Sequence, residues 1–309
     1  MRAVAVIEPG GPEVLRVVDR PVREAGPGEV RIAVKAAAVN PTDVGLREGG
    51  VEGLDPPWVP GMDAAGTVES LGEGVGRLGV GDAVMAAVSP RRPEGGAQAE
   101  SIVVPAASVV PIPDGASLQQ AATLPMNGLT ALLGLELIGL TAGQTLAVSG
   151  GAGLLASYVI ALAKERGLRV IADAKPDDEA LVRSFGADAV LPRGEGFPAA
   201  VREVTPEGAD ALFDTALLGR SAFPAIRDGG AMAVVRGWDG SEPERGIEIQ
   251  PVWVRTVLER TDWLLELREL ASRGRIALRV AAEYPPERAA EAQRAMEAGG
   301  LRGRAVIVF

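Results

Sequence analysis

Two kinds of hydrophobic patterning divide the chain. Up to about Val110, apolar residues come in short runs broken by glycine and proline. Examples are A-V-A-V-I (3–7), E-V-R-I-A-V-K-A-A-A-V (29–39) and A-A-G-T-V-E-S-L (64–71), with turns at G-P-G-E and G-V-G-D. Such runs, without long helices between them, predict a small β-rich domain. Beyond Gly115 the period changes. Gln119–Leu140 predicts helix with a break near Pro125–Gly128, and strands then alternate with helices. Strands are expected over 146–148, 168–172, 189–191, 211–214 and 231–235, and helices over 154–164, 181–185, 199–204 and near 222–227. Repeated β-α units imply a parallel, doubly wound sheet, so the fold class is α/β. One broad apolar face runs through Val252–Arg273, and β segments return at 277–281 and 305–309 around a helix at 287–297.

The stretch T-L-A-V-S-G-G-A-G-L-L-A-S-Y-V-I-A-L-A-K (145–164) carries the chemistry of the second part. A buried strand, a glycine turn and a helix in that order form the phosphate-binding start of a dinucleotide-binding unit. Backbone N–H groups and the positive helix end face a pyrophosphate, and absent side chains let it approach. Gly151, Gly153 and Ala156 fit G-x-G-x-x-A; Gly150, Gly153 and Ala156 fit a second register. Among 40 glycines the pattern alone says little. Asp173, at the end of the next apolar run, strengthens it, because an acid about 20 residues on holds a cofactor ribose in such folds.

Composition narrows the chemistry. With 309 residues, 47% of them hydrophobic, the chain has material for roughly two domains with full cores. A net charge of −10 argues against nucleic acid as a partner. No apolar run approaches the ~20 residues of a membrane span. Acid and proline come too early for a signal peptide, which leads to the expectation of a cytoplasmic protein. Cysteine and histidine are both absent. That removes disulfides, Cys/His metal sites and any Cys or His nucleophile or base.

The motifs A-A-A-V-N-P-T-D (36–43), P-G-M-D-A-A-G-T-V (60–68), G-V-G-D-A-V (79–84), L-P-M-N-G-L-T-A (124–131), F-G-A-D (185–188) and G-L-R-G-R-A-V-I-V (300–308), with the glycine turn, resemble the medium-chain dehydrogenase/reductase family. The branch they resemble is that of the zinc-independent, zeta-crystallin-like quinone oxidoreductases. The resemblance runs nearly end to end. It implies a GroES-like catalytic domain from residues 1–115 and 270–309, an inserted Rossmann domain at 116–269, and an active-site cleft at their junction.

It also implies site residues. Asn40, Pro41, Thr42 and Asp43 stand where zinc-free relatives place a polar loop beside the nicotinamide, although Asn-Pro and Asp are also ordinary turn residues. Asp43 fits equally a role in orienting the loop backbone. Thr130 resembles a family threonine at the nicotinamide, or it bonds a preceding carbonyl. Asn40, Asp43 and Thr130 are thus the catalytic candidates. The cofactor set is Asn40, Thr130, Gly150, Gly151, Gly153, Leu154, Leu155, Asp173, Lys175, Arg193, Val235 and Arg236. Leu154 and Leu155 replace a usual glycine-rich sequence and are expected to narrow the turn. Asp173 suits the free 2′-hydroxyl of NAD(H), whereas Lys175 and Arg193 suit the 2′-phosphate of NADP(H). NADP(H) is the expected cofactor, with NAD(H) open. Val235 and Arg236 end a late strand at the carboxyl edge, where ligands collect.

The implied reaction is metal-free hydride transfer to a small apolar quinone or enone, flanked by residues 46–58 and 252–263. With Tyr158 read as packing and Tyr284 distant, water is the expected proton source. The alternative is a cofactor-binding sensor or structural relative with little turnover. A homodimer through the Rossmann sheet edge, near Ala231–Val235, follows from the resemblance alone.

Overall fold

The computed structural model describes all residues, 1–309. The chain forms two compact units: residues 1–126, 257–274 and 278–309, and residues 127–256 and 275–277.

The first unit opens with β1 (Arg2–Val6) and β2 (Leu15–Asp19), which pair antiparallel as a ribbon. Next come β3 (Glu29–Ala38), α1 (Pro41–Gly49), β4 (Asp63–Leu71), β5 (Ala83–Ala87), β6 (Ser101–Pro105), β7 (Val109–Pro111) and the short α2 (Leu118–Ala121). The helix α3 (Pro125–Ile138) begins in this unit and carries the chain out of it. Alternation puts Val30, Ile32 and Val34 of β3 on one buried face, against Ala64 and Val68 of β4 and Ile102 and Val104 of β6. Register slips between β3 and β4 at Arg31/Ile32 and Val34/Ala36 mark bulges that bend this long strand.

The second unit holds β8 (Thr145–Ser149), α4 (Leu154–Glu165), β9 (Arg169–Ala174), α5 (Glu179–Ser184), β10 (Ala189–Pro192), α6 (Phe197–Val204), β11 (Ala209–Asp214), β12 (Ile226–Val234) and β13 (Glu248–Pro251). Their order is β10-β9-β8-β11-β12-β13, and every pairing is parallel. Counted from β8, this is the 3-2-1-4-5-6 order of dinucleotide-binding sheets. β8 is buried at every position, as a strand covered on both faces requires. Gly134 of α3 lets the helix lie against β11: a Cβ there would overlap the Phe213 ring.

The chain then completes the first unit. α7 (Thr261–Ser272) is tied to it by Thr261 Oγ1, which donates to Ala107 O at 2.6 Å, and by Arg268 Nε, which donates to Ile112 O at 3.1 Å. Finally β14 (Val280–Tyr284), α8 (Ala289–Glu297) and β15 (Arg304–Val308) follow, with β15 antiparallel to β3.

Several expectations change. The polar stretch at 40–43 is not a loop but the start of α1, with Pro41 at N1 and Asp43 at N3. Near 222–227 the backbone is a 3-10 segment, Gly219–Ala225, because Pro224 withholds an amide from an α-helical ladder. Val252–Arg273 divides into a 3-10 turn (Val254–Thr256) and α7. The break expected at Pro125–Gly128 lies just before it, and Pro125 opens α3. The junctions expected after residues 115 and 269 fall instead after Met126 and Thr256, since α2 packs on β3 and β4 and α7 on β7. β12 is not a sheet edge, because β13 covers it. Finally, Leu118–Ile138 does reach the length and apolarity of a membrane span, yet 83% of the 18-residue window that meets this test is buried inside the protein, as in a core helix.

Candidate functional site

In the second unit the strand order reverses between β8 and β11, which is where open α/β sheets bind ligands beyond their carboxyl ends. Ser149 and Asp214 are register partners there. Ser149 Oγ donates to Asp214 Oδ1 at 2.7 Å, and Gly219 N–H donates to Asp214 Oδ2 at 2.9 Å. Thr215 Oγ1 donates to the Ser149 carbonyl at 2.6 Å, and the Ser149 hydroxyl accepts from Ala216 N–H at 3.0 Å. These bonds tie the loop after β11 to the start of the glycine turn. Sequence reasoning missed all three side chains. Their only signal is position, since each stands at or just past a strand end.

The glycines do different work. Gly150 adopts φ 71°, a conformation costly for other residues. A Cβ on Gly151 would lie 2.5 Å from Asp173 O and 3.1 Å from Val182 Cγ1. Gly153 is the N-cap of α4 at φ −65°, where a Cβ would meet only Gly150 O at 3.1 Å. The N–H groups of Leu154, Leu155 and Ala156 precede the first intrahelical bond of α4, from Ser157 N–H to Gly153 O. Open amides at the positive end of a helix, behind a turn stripped of side chains, fit a phosphate group. Leu154 does not crowd this turn: it is 2% exposed and packs inward, while Leu155 is half-buried.

Asp173 is 3% exposed and accepts from Gly151 N–H at 2.9 Å. Burial pushes its carboxyl above the usual range, against the bond from Gly151 and the charge of Arg193. Its Oδ1 therefore braces the glycine turn instead of standing open for a ribose hydroxyl, which changes the reading of this acid. Arg193 N–H donates to Ala174 O at 2.9 Å, so the ends of β9 and β10 bring Lys175 and Arg193 together beside that turn. Both are exposed, and neither side chain enters an ion pair or hydrogen bond. Val235 and Arg236 follow β12. Val235 is half-buried, and Arg236 is exposed at φ 66°. Leu217, after β11, is likewise non-glycine at φ 61°. Two strained residues at neighbouring carboxyl ends are the kind of backbone found at binding sites.

In the first unit, Asn40 and Asp43 are 0% and 1% exposed and belong to a buried polar cluster. Arg304 Nε donates to Asn40 Oδ1 at 2.8 Å, and Asn40 Nδ2 donates to Asp63 Oδ2 at 2.6 Å. Asp63 Oδ1 accepts from Met126 N–H, also at 2.6 Å. Asp43 Oδ2 accepts from Asn40 N–H at 2.8 Å and from Gln98 Nε2 at 3.2 Å, and its Oδ1 accepts from Gly61 N–H at 2.9 Å. Asp43 thus organises the backbone around α1. Burial raises the Asp43 carboxyl to about 6 and the Asp63 carboxyl to about 7, the latter helped by its neighbour's charge. Asp63 stands inside the P-G-M-D motif but was not singled out, because nothing in the sequence says that its partner is Asn40. Thr130 lies on α3, 6% exposed. Leu46 and Val51 pack in a hydrophobic cluster with Val4, Val6 and Ile307, and Leu54 and Trp58 lie against it while also lining, with Asp55 and Pro57, a cavity of about 160 Å³. A cavity of about 400 Å³, lined by Arg20, Val22, Glu94 and Ile102, includes none of the expected site residues.

Comparison with known proteins fits this geometry. The family model described as alcohol dehydrogenase GroES-like domain matches residues 26–114, and that described as zinc-binding dehydrogenase matches 155–265. The zinc of that second description has no fitting ligands here: the chain lacks Cys and His, and no three carboxylates gather. An NADPH-dependent alkenal/one oxidoreductase of Arabidopsis thaliana is 35% identical over 77% of this chain and 63% of its own length. A quinone oxidoreductase of Pseudomonas aeruginosa is 34% identical over 58% of this chain and 54% of its own length. The chain therefore spans about three fifths of these relatives. Among solved structures, a mycobacterial protein complexed with NADPH superposes with a TM-score of 0.88 at 29% identity, covering all of both chains. An NAD-dependent alcohol dehydrogenase gives 0.87 at 30%, again over both chains in full. With these matches joined to the reversed strand order and the braced glycine turn, the chain belongs to the medium-chain dehydrogenase/reductase family, in its quinone oxidoreductase branch.

Proposed function

We propose that the protein is an oxidoreductase that passes hydride from NADPH to a quinone or enone-type acceptor without a metal ion. The observation that carries the cofactor choice is the arrangement at the ends of β9 and β10. Asp173 Oδ1 accepts from the glycine turn, while two exposed cations, Lys175 and Arg193, stand beside it with no hydrogen bond to their side chains. A 2′-phosphate offers such cations charge-assisted bonds, roughly twice as strong as neutral ones. The names of the relatives, NADPH-dependent alkenal/one oxidoreductase and quinone oxidoreductase, support the acceptor class.

The cofactor supplies the hydride, and the protein's part is to bind, orient and exclude water. The α4 amides and the 150–153 turn hold the pyrophosphate, Lys175 and Arg193 the 2′-phosphate, and Val235, Arg236 and Thr130 contact the rest of the cofactor. Asn40 contributes as a fixed amide whose two ends are both engaged. Reduction of a quinone by NADPH consumes one further proton. Tyr158 lies at 0% exposure within α4, so this proton comes from water. We further propose a homodimer joined along the open edge of β13.

Steady-state NADPH oxidation against a panel of quinones and alkenals tests the reading. Turnover should be seen with at least one acceptor, and Tyr158→Phe should keep it within about threefold, less than the 10²-fold or more that a general acid contributes. Cofactor binding with no turnover on any acceptor would favour a sensor instead.

A further inference from the structure

The first unit holds a buried carboxylate that the proposed reaction does not use. Asp63 ends one side of a chain of bonds that starts at Arg304 and passes through the Asn40 amide. Its other oxygen meets Met126 N–H, in the first turn of α3, where the helix dipole favours negative charge. Thr130 follows Met126 by four residues, one turn further along the same helix face. One carboxylate thus joins the Asn40 amide to the first turn of α3.

We propose that Asp63 is the positioning residue of this oxidoreductase: its ionised carboxylate holds the Asn40 amide and the first turn of α3 in one arrangement, and a proton on it releases that hold. This rests on the oxidoreductase reading above.

The Asn40 amide leaves little choice of geometry. Its oxygen is taken by the Arg304 guanidinium, so the group facing Asp63 must be NH2, and only an acceptor suits it. Met126 N–H is a second donor aimed at the same carboxylate. An ionised Asp63 satisfies both, whereas a protonated one offers its own O–H to a donor. The charges facing it are Arg304, from β15, and Asp43, from α1; Gln98 adds a neutral amide bound to Asp43. Two buried acids against one cation leave an excess negative charge, and burial carries the Asp63 carboxyl up to about 7. Small pH changes near neutrality therefore alter its charge.

Asp63→Asn replaces an acceptor by an amide that must turn its NH2 toward Asn40 or toward Met126. NADPH binding, read by titration calorimetry, should stay within about threefold, because the phosphate turn lies elsewhere. By contrast kcat should fall roughly tenfold to a hundredfold, the cost of about an ångström of misplacement. Wild-type kcat should drop as pH falls below about 7, and this inflection should vanish in Asp63→Asn and persist, displaced, in Asp63→Glu. Wild-type kcat and an unchanged inflection in Asp63→Asn would overturn the proposal, as would a flat wild-type profile. If Asp63→Asn does not fold, the wild-type and Asp63→Glu profiles decide alone. Should the wild type bind NADPH yet reduce no acceptor, the oxidoreductase reading falls by itself. The Asn40 side-chain amide resonance then judges Asp63: titration near neutrality supports its hold, and a flat line overturns it.

Discussion

Asp173 and Gly151 are joined twice: the Asp173 carboxylate accepts the Gly151 N–H at 2.9 Å, and the Asp173 carbonyl stands where a Gly151 side chain would go. The acid expected to read a ribose is instead part of the wall of the phosphate turn. Asp173→Ala leaves a buried N–H unpaired, which costs about 1–3 kcal/mol. Thermal unfolding should show that loss, and NADPH affinity should fall with it. Asp173→Asn, which keeps an acceptor, should lose much less. Equal effects of the two substitutions would mean that the charge of Asp173 matters, not its bond.

The glycines should differ in what they tolerate. In Gly151→Ala the new methyl meets backbone oxygen at 2.5 Å and Val182 at 3.1 Å, so β9 or α5 must shift. A loss of about 1–3 kcal/mol is expected, as for overpacking elsewhere. Gly153→Ala meets only one oxygen at 3.1 Å, at ordinary φ, and should cost under about 1 kcal/mol. Urea unfolding of both variants checks the order.

Stability should fall as pH rises from about 4 to about 7. In the folded chain burial holds the Asp43 carboxyl at about 6 and that of Asp63 at about 7, each up from 3.8. Across this window the folded state keeps protons that the unfolded chain has already released. Each such proton contributes on the order of 1.4 kcal/mol per pH unit, lost as pH climbs. Melting temperatures of the wild type and Asp63→Asn, measured from pH 4 to about 8, should converge at low pH and separate near neutrality. Parallel curves would contradict the assignment.

Much of this was legible in the residues. The apolar run 146–148, the glycine turn and Asp173 announced a parallel sheet with its phosphate turn, because local spacing determines all three. Position 40–43 was legible too, but underread: Asn, Pro and Asp at N-cap, N1 and N3 spell a helix start as readily as a turn. What was not legible is long-range pairing. Asn40 meets Arg304 across nearly the whole chain, and Ser149 meets Asp214, in each case because strands distant in sequence lie side by side. No local pattern records such partners. The role of Leu154 also needed coordinates, since only the helix phase shows that it turns inward.

In the proposed function, Lys175 and Arg193 read a 2′-phosphate. Isothermal titration of NADPH and NADH separately into the purified protein, at one salt concentration, tests it most directly. NADPH should bind at least about tenfold more tightly, and Lys175→Ala with Arg193→Ala should erase that margin, as loss of charge-assisted bonds worth about 1.5–3 kcal/mol each requires. Equal affinities in the wild type, or a preference for NADH, would contradict it.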